Sequence, residues 1–81
     1  MDLRKAKTRT KIQLGGLIER SGILDDLNLT PGDDLQKDPD CHESVAILMG
    51  ALCELRQTLH ADDAQAQMIL WGERGKEALG R

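Results

Sequence analysis

Residues 4–24, RKAKTRTKIQLGGLIERSGIL, decide how this chain is read. Positions 4 to 11 carry five cations, Arg4, Lys5, Lys7, Arg9 and Lys11. The stretch then turns apolar at Ile12, Leu14, Leu17 and Ile18, around the pair Gly15-Gly16, and Gly22 closes it. On a helical period Arg4, Lys7 and Lys11 share one face, and Lys5 and Arg9 a neighbouring one. Leu14, Leu17, Ile18 and Ser21 continue as an apolar strip. A helix over residues 2–21 is therefore expected, with Gly22 as a left-handed cap. Two glycines inside a helix cost about 1 kcal/mol each, and close approach by another helix is the expected return. A strand reading competes over the first half, because Thr8, Thr10, Ile12 and Leu14 alternate with Arg9, Lys11 and Gln13. A short strand followed by helices is the layout of ribbon-type DNA readers. Gly15, Gly16 and Gly22 in the segment that would be the next helix weigh against it.

Working outward, the charge is uneven. The 81 residues carry a net charge of −3. Residues 1–20 hold six cations against two acids, +4; residues 21–66 hold two against ten, −8; residues 67–81 hold three against two, +1. A cationic end on an acidic chain says more about partners than the total does. The apolar stock is aliphatic, with one tryptophan and neither phenylalanine nor tyrosine. So short a chain sits near the lower limit of independent folding, and a second copy would enlarge its core.

Past Gly22, Ile23, Leu24, Leu27 and Leu29 can form one apolar turn, and Thr30-Pro31-Gly32-Asp33 is a turn signal. Asp25, Asp26, Asp33 and Asp34 lack the ladder of a calcium loop and read as turn acids. Asp38-Pro39 opens the best-defined helix, with Asp38 as N-cap and Pro39 at the first helical position. Within it Val45, Leu48, Leu52, Leu55 and Leu59 recur at spacings of 3, 4, 3 and 4, a heptad seam two heptads long. That seam is expected to form a bundle core, with Ala46, Met49, Gly50 and Cys53 as an adjacent small-residue strip for the glycine face of the first helix. After a corner at His60-Ala61, Asp62 is the expected N-cap of a last helix over residues 63–79, with Ala64, Met68, Trp71, Gly75 and Ala78 or Leu79 in its stripe and Gly80 at its end; no proline or glycine separates Leu59 from Ala64, so one continuous helix is the alternative. Trp71 could stack on a base, but its place in the stripe favours the core. Arg74, Lys76 and Arg81 suit the negative end of that helix.

Most chemistry is excluded. Along a helix His42 and Cys53 stand about 16 Å apart, and Cys41 and Cys53 about 18 Å, beyond a shared zinc or a disulfide. Ser21 lacks a nucleophile-elbow context, and Glu19, Glu54 and Glu73 are scattered. No enzyme, cofactor or metal is expected. The short apolar run before Glu19-Arg20 does not read as a signal peptide, and no stretch approaches the roughly 20 apolar residues of a membrane span. With Cys41 and Cys53 as free thiols, the expected compartment is the cytoplasm.

Residues 7–18, KTRTKIQLGGLI, followed by Ser21-Gly22-Ile23-Leu24, resemble the small TraD-type conjugal transfer proteins of mobilisable plasmids, distinct from the large membrane coupling ATPases that share the name. The likeness continues through residues 31–39, 48–52 and 71–79. It implies a small helical accessory protein that works beside a relaxase and assists DNA processing at the transfer origin. It brings no residue-level site.

The combined expectation is an all-α fold, a small bundle of about three helices, with residues 1–81 a single domain and residues 1–11 a basic arm continuous with the first helix. The expected function is DNA binding as an accessory of plasmid conjugal transfer, with phosphates held by Arg4, Lys5, Lys7, Arg9 and Lys11 and base edges within reach of Gln13. The expected helix-packing and oligomer residues are Gly15, Gly16, Leu48, Leu52, Leu55, Leu59 and Trp71. Expected partners are DNA at the transfer origin, a relaxase and a second copy of the chain, with no membrane. The alternatives are a relaxase adaptor without DNA binding of its own and a small transcriptional regulator.

Overall fold

The structure is a computed structural model and describes residues 2–80. It is all-helical, with α1 over Leu3–Arg20, a short α2 over Ile23–Asp26, α3 over His42–Leu59 and α4 over Ala64–Leu79. The chain divides into two compact units, Met1–Val45 and Ala46–Arg81.

In the first unit, α1 runs unbroken through residues 8–14, so the strand alternative falls away. The two threonines that suggested alternation are absorbed by the helix: the Thr8 hydroxyl donates to the Arg4 carbonyl at 2.9 Å and the Thr10 hydroxyl to that of Ala6 at 3.1 Å. Asp2 caps the start, its carboxylate accepting from the Arg4 N–H at 2.9 Å. Gly22 ends the helix at φ +84°, in the left-handed region expected of it, and lets the chain reverse directly into α2. α1 packs on α2. Beyond α2 the chain turns at Thr30–Asp33, with Gly32 at φ +101° and a 3.0 Å bond from the Asp33 N–H to the Thr30 carbonyl.

The aspartates of this connection hold backbone. The Asp33 carboxylate accepts from the Thr30 N–H at 2.9 Å, and Asp34 accepts from the N–H groups of Gln36 and Lys37, each at 3.1 Å. Asp38 caps a 3₁₀ turn over Pro39–Cys41 that leads into α3. The Ser44 hydroxyl in the first turn of α3 donates to the Leu27 carbonyl at 2.6 Å, a tie across 17 residues that fixes the end of α2. Leu29 and Cys41 are buried here.

The second unit holds the remainder of α3 and all of α4. The break between them is real, but α4 begins at Ala64 and its N-cap is Asp63, not Asp62. The Asp63 carboxylate makes no capping bond, so two adjacent aspartates offered the same signal and the backbone of the corner chose the second. Gly80 ends α4 at φ +73°. The expected core is not filled. No residue of α3 is buried, and Ala64 is the buried residue of α4. Leu52, Leu55 and Leu59 keep about 40% of their surface, and Trp71 keeps 38%. Among the described residues no α carbon of α3 lies within 8 Å of one of α4, so the two helices of this unit make no close backbone approach.

Candidate nucleic-acid interface

The cations of α1 sit where the period placed them. Eight residues of helix advance about 10 Å, so five positive charges occur at roughly one per 2 Å, close to the one phosphate per ~1.7 Å of duplex axis in DNA. All five side chains are exposed. One open face of α1 carries Arg4, Lys5, Thr8, Arg9, Ile12 and Gln13, with Asp2 at its end. It brings together three of the expected phosphate contacts and Gln13, while Lys7 and Lys11 lie on the adjoining face with Arg4. Thr8 and Ile12 were absent from the sequence reading of this face. On the helical period both fall between Arg4 and Lys5, which would have supplied them.

None of the five cations is neutralised by the protein's own acids among the described residues. The ion pairs there are Arg74–Glu77 at 4.0 Å and Lys76–Glu73 at 3.7 Å, both within α4. Those two bases therefore serve their own helix, while Arg81 lies outside the described residues. Asp2, at the start of α1, is occupied with the cap. The first turn of α1 contains no acidic residue, although the amide end of a helix favours negative charge. Like charges also stand at i,i+4 in Lys5/Arg9 and Lys7/Lys11, each pair unfavourable by about 0.2–0.5 kcal/mol. A nearby polyanion relieves both effects.

The glycine pair faces open space within its own unit: a Cβ at Gly15 or Gly16 would meet no atom within 4 Å. Cys53 is exposed and Cys41 buried. Burial raises the Cys41 thiol above its ordinary value, and the carboxylates of Asp38, Asp33 and Asp40 push the same way. Cys41 is thus a neutral packing residue. No group of His, Cys, Asp and Glu side chains suited to a metal ion occurs among the described residues. No described helix is long and apolar enough to cross a membrane.

Fold and surface together define a small all-helical protein whose first helix is an exposed, unneutralised cationic rod. Comparison gives it a family. The family model for conjugal transfer protein TraD matches residues 1–30, which span α1, the Gly22 reversal and α2. Over 79 residues the chain is 32% identical to a probable conjugal transfer protein TraD from Sinorhizobium fredii (strain NBRC 101917 / NGR234), an alignment covering 98% of this chain and 84% of that protein. The chain belongs to the TraD family of conjugal transfer proteins. No solved structure matches it.

Proposed function

We propose that this protein is a DNA-binding accessory of plasmid conjugal transfer, acting in DNA processing at the transfer origin by gripping the phosphate backbone through α1. The observation that carries the reading is the set of five exposed cations on α1, none of them in an ion pair among the described residues. The family name supplies the process, and the charge spacing supplies the chemistry. A helix about 10–12 Å across fits a major groove about 12 Å wide. Arg4, Lys5, Lys7, Arg9 and Lys11 would supply sequence-independent affinity, and Gln13, on the same face of α1 as Arg4, Lys5 and Arg9, is the side chain we assign to base edges. The role is one of binding and positioning rather than catalysis.

The test is a gel shift at low salt with three probes: an origin duplex, the same sequence single-stranded, and an unrelated duplex of equal length. Binding to DNA with modest preference for the origin is expected. Absence of binding to all three probes refutes the proposal and leaves the relaxase-adaptor reading, which a pull-down with relaxase in the absence of DNA would then establish.

A further inference from the structure

We infer that a second copy of this chain covers the leucine seam of α3, so that the folded protein is an obligate homo-oligomer built through its second unit. The inference stands apart from DNA binding, since it uses none of the cationic residues of α1.

The second unit lacks a core of its own. Among its described residues Ala64 is the buried one, and its two helices make no close backbone approach to each other. Isolated helices of this length are marginal in water, and their stability comes from packing an apolar face. Here the face exists and is uncovered: Leu52, Leu55 and Leu59 on α3 keep 44%, 41% and 40% of their surface, Met49 beside them keeps 62%, and Met68 and Trp71 on α4 keep 48% and 38%. If a fully exposed side chain of this size presents on the order of 100 Å² of apolar surface, these residues leave roughly 300 Å² per chain uncovered. The half-buried Val45, Leu48 and Leu79 bring the figure to roughly 350 Å². A standard interface buries about 800 Å² per partner, of which about 450–500 Å² is apolar. Taken over the two helices of the second unit, the uncovered apolar surface is more than half of what one such interface needs.

Its pattern points to self-association. Heptad spacing keeps an apolar seam facing a partner helix of the same period, and another α3 supplies that period. No charge interrupts the line from Val45 to Leu59, and the charges beside it, Glu54 and Arg56, are of opposite sign, so two copies meet without net repulsion. The need is also permanent. A segment with one buried residue requires its cover whenever it is folded, and the partner always present at equal concentration is the chain itself.

The test is light scattering on the full chain, together with its melting temperature over a hundredfold range of concentration. The expected mass is a multiple of 9.0 kDa, twice that value at the smallest. The melting temperature should rise with concentration, because folding and association are one equilibrium. Leu52→Lys with Leu55→Lys should abolish the oligomer. Should that variant fail to fold, the concentration dependence of the unaltered chain still decides the matter. A monomer that melts at the same temperature at every concentration overturns the inference, as does an oligomer indifferent to both lysines in a variant that stays helical.

Discussion

Replacing Arg4, Lys5, Lys7, Arg9 and Lys11 together with alanine separates the two tasks of α1. If each cation neutralises one phosphate, log K for DNA falls against log salt with a slope of about −4.5, since each released counterion contributes about 0.9. Between 50 and 200 mM salt that is a loss of about 500-fold in affinity. The alanine variant loses the whole term, and its slope collapses toward zero. Its helix should not suffer. Removing Lys5/Arg9, Lys7/Lys11 and Arg4/Lys7 relieves three like-charge pairs, about 0.2–0.5 kcal/mol each. Alanine is also the strongest helix former. Helicity by circular dichroism should therefore hold or rise while fluorescence anisotropy with a labelled duplex shows the affinity gone. Single alanine variants should each flatten the slope by about 0.9. If the unaltered chain binds DNA with a slope flatter than about −1, or the fivefold variant binds as tightly as the original, the cations of α1 are not the contact and the reasoning fails.

Three further outcomes follow from the geometry. Gly15→Ala should raise α1 stability by roughly 0.5–1 kcal/mol in chemical denaturation, because the position is helical and its Cβ meets open space; a loss instead would show that a partner seats against the glycine pair. Ser44→Ala should cost about 0.5–1.5 kcal/mol and speed amide exchange around Leu27–Leu29, because it removes the tie from α3 to the Leu27 carbonyl; unchanged exchange there would deny that bond its role. Because the Cys41 thiol titrates above its ordinary value in the fold, its contribution is intact at neutral pH and is lost as pH rises from the ordinary thiol range through the raised value. Urea midpoints should thus fall on the alkaline side, Cys41→Ala should flatten that fall, and maleimide should label Cys53 quickly and Cys41 only on unfolding.

Local punctuation was legible in the residues, and tertiary cover was not. Gly22, Pro31-Gly32, Asp38-Pro39 and Gly80 each impose a backbone state on their own neighbours, so their positions fix where helices stop and turns occur. Residues 8–14 were open between helix and strand because alternating threonines satisfy a period of two; the i−4 hydroxyl bonds of Thr8 and Thr10 show how a helix accommodates them. Periodicity marks an apolar face on α3, but it carries no information on what lies against that face. The same 3, 4, 3, 4 spacing serves a neighbour in the chain or a second molecule. The Ser44–Leu27 bond escaped for a related reason: a tie across 17 residues leaves no periodic trace.

The two unusual surfaces of this protein pose one physical problem in two forms. On α1, positive charge is placed at the helix end that disfavours it, with one acidic cap as compensation. On α3, leucines at core spacing are left about two-fifths exposed. Each breaks a rule of local structure, and such departures are expected where a sequence answers to something outside its own fold. The remedies differ in kind. Charge is relieved by a polyanion and is therefore sensitive to salt; apolar area is relieved by another apolar surface and is nearly indifferent to it. Raising ionic strength should accordingly strip DNA from the protein while leaving its oligomer intact, so the two surfaces can be separated without altering a residue.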